Sequence, residues 1–223
     1  MAIWLKQTMK SIVYSSRILY YVYGVVTKLM SKYPTKTKIE NHGFAMMKKD
    51  ITGIGHFIKI GYNTTLQNIS VRMRGSNNRL IFGDDCSIGA ECSFWLEGSN
   101  LEIIIGNRTS MTWKVHVNAQ EYNNSIIIGE DCMFSNNIII RTSDGHPIYD
   151  KNIRTNIAKS VIIGDHVWIA PNSKVMKGSH IGEGCIIGSD SMVTKDIPAY
   201  SLAVGHPAKV VKSNVKWTRE VLF

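Results

Sequence analysis

Ile163, Ile169, Val175, Ile181, Ile187 and Val193 place an aliphatic side chain at every sixth position, and each is followed by Gly164, Ala170, Met176, Gly182, Gly188 or Thr194, mostly small residues. A chain that turns every six residues and buries one aliphatic per turn predicts a parallel β-helix with three flat sides, eighteen residues to a coil, the coils stacking as a solenoid. The beat recurs upstream in threes: Ile54, Ile60 and Leu66; Phe82, Ile88 and Phe94; Ile105, Met111 and Val117; Ile128, Phe134 and Ile140. This predicts six coils. A glycine follows the first member of each group (Gly55, Gly83, Gly106, Gly129, Gly164), often with an acidic or amide residue next. That pairing predicts a tight corner in which glycine frees the backbone and the Asx side chain bonds to its own main chain.

The spacing between groups departs from six: eleven residues from Phe94 to Ile105 and from Val117 to Ile128, sixteen from Leu66 to Phe82, twenty-three from Ile140 to Ile163. Every departure follows the third member of a group, so the pattern predicts insertions leaving one corner and aligned as a ridge. Insertions on one side of a repeat protein often mark its binding face. The longest, about 141–159, is the first place to look for chemistry.

The remaining sequence divides around this domain. Residues 1–50 read as an N-terminal cap with amphipathic helical character over about 2–33, residues 51–200 as the solenoid, and residues 201–223 as a short C-terminal tail. Two readings of the first segment stay open. It covers the open end of the solenoid, or its basic, Tyr- and Trp-bearing helix rests on anionic membrane. Arg17, Ser11, Ser15 and Ser16 interrupt it too early for a transmembrane span. No cleavage site of a signal peptide follows.

A 223-residue chain that is 44% hydrophobic but only 9% aromatic suits aliphatic ladders. Cys86, Cys92, Cys132 and Cys185 each fall four residues after a ladder position, where Thr64, Ser70, Thr109, Ser173, Ser179 and Ser191 also fall. They read as reduced core cysteines in a cytoplasmic protein. The net charge of +9 is dispersed, without the basic–aromatic clusters of a nucleic-acid binder, and suits polyphosphate cofactors or acidic glycans.

The hexads, the run Ile163-Gly164-Asp165-His166-Val167-Trp168-Ile169-Ala170 and the closing Ser201-Leu202-Ala203-Val204-Gly205-His206-Pro207-Ala208-Lys209 resemble the left-handed β-helix acyltransferases, in particular the sugar and polysaccharide O-acetyltransferases that modify capsules, sialic acid polymers and O-antigens. The resemblance covers about residues 51–212 and is most specific in the C-terminal third. It implies an all-β solenoid of left-handed parallel β-helix, a homotrimer with intersubunit active sites, and acetyl-CoA as co-substrate with no metal.

The chemistry requires a base for the attacking hydroxyl, stabilisation of an oxyanion, and a groove for a long anionic donor. His146, in Thr142-Ser143-Asp144-Gly145-His146-Pro147-Ile148 at the head of the long insertion, matches the family's catalytic histidine in its His-Pro context. A neutral imidazole suits the task. Asp144 is a candidate to orient it, or to cap a turn. Trp168 precedes ladder residue Ile169 and points outward, so something must cover it. The resemblance places it in the active site, walling the acceptor pocket with backbone N–H groups nearby as oxyanion donors; burial at a trimer interface is compatible. Asn118 and His116, in Trp113-Lys114-Val115-His116-Val117-Asn118-Ala119, are alternative acceptor contacts. Ala170, Gly188 and Ser189 offer close backbone approach to a pantetheine arm. Thr194, Lys195, Pro207, Ala208 and Lys209 resemble the CoA-end motifs, with the lysines meeting phosphates as point charges. The acceptor would be a sugar or polysaccharide, with the basic chain favouring an acidic one, met in the cytoplasm or at the inner face of the membrane. N-acetylation of an amino sugar or antibiotic, and a non-catalytic solenoid, are the competing readings. A zinc carbonic anhydrase would need a second histidine close after His146, and the next is His166.

Overall fold

A computed structural model describes residues 37–222. The N-terminal helical segment expected over 2–33, with its capping and membrane readings, lies outside the described residues. No helix among the described residues is long and apolar enough to cross a membrane.

The chain winds as a three-sided parallel β-helix. A seven-stranded parallel sheet makes the first face, and its central ladder is Ile60, Phe82, Ile105, Ile128, Ile163 and Ile181. The second face stacks Leu66, Ile88, Met111, Phe134, Ile169, Ile187 and Ala203. The third stacks Val71, Phe94, Val117, Ile140, Val175 and Val193. All of these side chains are buried. Each aliphatic removed from water contributes about 1.5–3 kcal/mol, and this repeated burial holds the coils together.

Three features differ from the sequence expectation. First, Ile54 is 63% exposed and belongs to no ladder. The first full group is Ile60, Leu66 and Val71, because the corner at Asn68 is one residue shorter than its counterpart above. Ile69, not Ser70, therefore takes the buried slot of Cys92. Strands Lys38–Asn41 and Phe44–Ile51 pair with the coil above, so the solenoid reaches back to residue 38, into the stretch assigned to the N-terminal segment.

Second, the eleven-residue spacings are not insertions. Strands Thr65–Ser76, Ser93–Ser99 and His116–Tyr122 run on past the ladder residue and bury a second inward column, Met73, Leu96 and Ala119. The lower coils thus take 23 residues, as the in-register set Arg72, Trp95, Asn118 and Arg141 shows. The upper coils keep eighteen, as from Val175 to Val193. Only the segment after Arg141 leaves the solenoid.

Third, apart from Gly55, which has a φ of 72°, the corner glycines Gly83, Gly106, Gly129 and Gly164 serve close approach rather than unusual dihedrals. A Cβ on Gly106 would lie 2.5 Å from the Gly129 carbonyl carbon. The left-handed conformation is carried three residues after the ladder position, by Asn63, Asp85, Arg108, Asp131 and His166. The Asx side chains cap the coil beneath rather than their own turn: Asp84 accepts from the Tyr62 N–H at 2.8 Å and Asp165 from the Glu130 N–H at 2.7 Å. Coils stacked about 4.8 Å apart bring that neighbouring N–H into reach.

The four cysteines are free and buried in the core, as expected. Burial pushes the thiol of Cys92 up to about 11 and that of Cys132 up to about 12, so both stay protonated and inert.

Candidate active site

The long loop leaves the third face at Arg141 and returns at Lys159, whose N–H donates to the Thr142 carbonyl at 2.9 Å. Midway it forms a short antiparallel pair, Tyr149–Asp150 with Ile153–Arg154. Its shape is fixed by Asn156, a buried residue that no sequence signal marked. The Asn156 Nδ2 group donates to the Asp144 carboxylate at 2.9 Å and to the His146 carbonyl at 2.8 Å, and its Oδ1 accepts from the Ile148 N–H at 2.7 Å. His146 is thus held by its backbone while its side chain is exposed.

Asp144 does not pair with the imidazole. Its carboxylate is taken by Lys177, one coil above, and by Asn156. The Lys177 hydrogen bond holds the carboxyl below its usual range, assisted by Asn156 and Arg141 against the effect of burial. Asp144 therefore acts on His146 only through the loop's frame. A second tie fastens the loop: Arg154 and Ser143 both donate to Glu121, each at 2.7 Å. Burial works to raise the Glu121 carboxyl, but these two bonds prevail and lower it.

Beneath the loop lies the outer side of the third face. Asn118 pairs in register with Arg141 and is buried, with Trp95 in register on its other side. His116 is half-buried, bonded through Nδ1 to the Ser93 hydroxyl at 2.6 Å and edge-on to Trp95. Burial, with the nearby Arg141 charge, lowers its pKa and favours neutral imidazole. Two of the three sequence-predicted acceptor contacts, Asn118 and His116, therefore lie at the foot of the loop that carries His146.

Trp168 lies elsewhere, outward on the second face between Met133 and Ile186. Its cover comes at least in part from this chain rather than from a neighbour alone. Past the hairpin Ser201–Gly205/Ala208–Ser213, the tail turns back along the solenoid. Trp217 stacks on His166 with centroids 4.0 Å apart and sits 6.0 Å from Trp168. The Trp217 indole donates to the His166 carbonyl at 2.9 Å. Arg219 then bonds the Asp131 carboxylate at 2.8 Å, the Ser110 hydroxyl at 3.0 Å and the Cys132 carbonyl at 2.9 Å. The requirement that an outward tryptophan be covered was legible; that residue 217 supplies cover was not, since no local pattern links it to residue 168.

Within one chain the predicted residues fall into two sets. His146, Asp144, Thr194 and Lys195 border the corner between third and first faces. Trp168, Ala170, Gly188 and Ser189 line the second face and the corner after it, and the hairpin carrying Pro207, Ala208 and Lys209 pairs above them. The Gly188 backbone is packed so tightly that a Cβ there would lie 2.6 Å from Val204 Cγ1. Lys195 and Lys209 are both exposed. No group of three or more His, Cys, Asp or Glu side chains among the described residues is placed to hold a metal ion.

A stacked-coil β-helix with one long histidine-bearing loop is the class of protein that these features define. The family model described as bacterial transferase hexapeptide (six repeats) matches residues 160–195. A polysialic acid O-acetyltransferase of Neisseria meningitidis is 31% identical over 185 residues, 77% of this chain and 79% of the relative. A polysialic acid O-acetyltransferase of Escherichia coli O1:K1 / APEC is 39% identical over 120 residues, 53% of this chain but only 38% of that relative's length. Among solved structures, the polysialic acid O-acetyltransferase OatWY is 27% identical with a TM-score of 0.67, over 85% of this chain and 93% of that one. The polySia-specific acetyltransferase NeuO is 30% identical with a TM-score of 0.52, over 83% and 90%. The chain belongs to the hexapeptide-repeat acetyltransferases, whose β-helix is left-handed.

Proposed function

We propose that the protein transfers the acetyl group of acetyl-CoA to a sugar hydroxyl of an acidic polysaccharide, with His146 as general base. The observation that carries this reading is the exposed His146 side chain on a loop whose backbone Asn156 fixes, directly above the polar third face. The imidazole takes the hydroxyl proton as the sugar oxygen attacks the thioester carbonyl; the acyl C–S bond then breaks, and the thiolate leaving as CoA receives the proton. The backbone N–H groups expected to serve the oxyanion are taken, that of Trp168 by the Cys185 carbonyl and that of Ala170 by the Ile187 carbonyl, each at 2.9 Å, so the unpartnered indole N–H of Trp168 takes that role instead. Because His146 and Trp168 border different corners of one chain, a site using both takes them from two chains, which supports a homotrimer with shared sites. The relatives' named acceptor, polysialic acid, supports an acidic glycan. The enzyme would work in the cytoplasm or at the inner face of the membrane.

The direct test is thiol release from acetyl-CoA across a panel of acidic and neutral glycans. Release that depends on an acidic glycan is expected; release with amino sugars or aminoglycosides alone would replace O-acetylation with N-acetylation.

For the donor, Ala170 and Ser189 at the corner after the second face fit a pantetheine arm, the space beside Gly188 being filled by Val204, and the exposed Lys195 and Lys209 fit its phosphates. A lysine–phosphate contact strengthens ground state and transition state alike. Lys195→Ala and Lys209→Ala should therefore raise KM for acetyl-CoA with kcat nearly unchanged, the effect shrinking with added salt. With acetyl-pantetheine, which lacks the nucleotide phosphates, neither variant should show a defect. Equal defects with both donors would remove the lysines from the phosphate site.

A further inference from the structure

We propose that Arg141, with Asn118 and Gln120, forms the subsite that binds the carboxylate of the acceptor sugar and so determines specificity for acidic glycans. This rests on the assignment of His146 as base toward a sugar hydroxyl. Charge balance at the foot of the loop carries it. The acids there are each taken by another cation: Asp144 by Lys177, Glu121 by Arg154, and Glu97 by Arg72. Arg141 forms no salt bridge among the described residues, although it is half-buried and its Nε is sealed from solvent without a hydrogen-bond partner. A cation in that position is stabilised by an anion from outside the fold.

Its neighbours complete the chemistry. Asn118 is 3% exposed, stands beside Arg141 in register, and leaves its Oδ1 buried and unpartnered. Gln120 donates through Nε2 to Glu97 at 3.0 Å, but its Oε1 is likewise buried and unpartnered. That oxygen lies 4.0 Å from where a Cβ on Gly145 would stand, directly under the residue before His146. Two acceptor oxygens and one guanidinium donor match a sugar acid that offers a carboxylate together with hydroxyl or amide N–H donors on adjacent carbons. Unmade bonds to such groups are costly, and a ligand that turns them outward recovers that cost. Arg141 is five residues before His146, so a sugar anchored there through its carboxylate has its hydroxyls within the reach of the loop.

The test compares wild type, Arg141→Lys and Arg141→Gln using a sialic acid trimer and the same trimer with its carboxyl groups reduced to alcohols. Loss of a charge-assisted bond should raise KM for the acidic trimer by roughly 10- to 100-fold in Arg141→Gln, with Arg141→Lys between. The reduced trimer should be a poor acceptor for wild type and no worse for Arg141→Gln. KM for acetyl-CoA, the melting temperature and the assembled mass should not change. An unchanged KM, an equal loss with both trimers, a raised KM for acetyl-CoA, or a lighter assembly would each overturn the subsite, the last two by giving Arg141 to the donor or to a subunit contact. Calorimetric binding of the acidic trimer to His146→Ala chains, with and without Arg141→Gln, separates this from the catalytic reading. Weaker binding with glutamine upholds the subsite even if no acetyl is transferred; equal binding, or none in either, overturns it.

Discussion

Replacing His146 with alanine lowers acetyl transfer by about 10²–10⁴-fold, the usual contribution of a general base, while folding and acetyl-CoA binding persist. The structure explains why the fold should tolerate the change. The imidazole is exposed, and the bonds that shape the loop run through the His146 carbonyl, Asn156, Asp144 and Lys177 rather than through the ring. Initial rates with saturating donor, calorimetric binding of CoA and a thermal melt decide the matter together. A variant that transfers acetyl near the wild-type rate shows that another group takes the proton. Because Asp144 acts on the frame and not on the ring, Asp144→Asn should leave a far smaller defect than loss of His146.

Chains carrying His146→Ala and chains carrying Trp168→Ala, each inactive alone, should regain activity when assembled together. His146 borders one corner of the triangle and Trp168 lies on the second face, so an intact site would draw its histidine from one subunit and its tryptophan from another. Random mixing in a cyclic trimer gives about one quarter of all sites both intact residues, and a mixed trimer isolated from the rest carries about one such site in three. Co-expression with two different affinity tags, isolation of mixed assemblies and a rate per site provide the measurement. Activity no greater than the sum of the two inactive parents would place both residues in one chain's site and remove the argument for sharing.

The ladders were legible because a six-residue beat of inward aliphatics has few other physical explanations, and His146 could be proposed because it heads the longest break in that beat. The errors have physical causes. Ile54 fits the beat arithmetically, six residues before Ile60, but it follows a positive-φ Gly53 and lies outside the core. The eleven-residue spacings looked like insertions because only every sixth residue was counted. The pairs Val71/Met73, Phe94/Leu96 and Val117/Ala119 carry the two-residue alternation of a strand that continues inward. Lys177, Trp217 and Arg219 had no signal, since each acts through a partner on another coil, and Asn156 had none because its bonds depend on how the loop folds back on itself.

The course of the tail alters how such a repeat comes apart. In a solenoid each coil is coupled only to its neighbours, so an end can peel away rung by rung. Here the segment after the hairpin descends one corner column, touching His166, Asp131 and the Arg108 carbonyl in turn, on three coils that the chain itself passes in the opposite order. That return path couples rungs that are not adjacent. Opening the last coils then requires releasing Arg219 from the middle of the stack, and the C-terminal half loses its freedom to fray alone and unfolds as a single cooperative block.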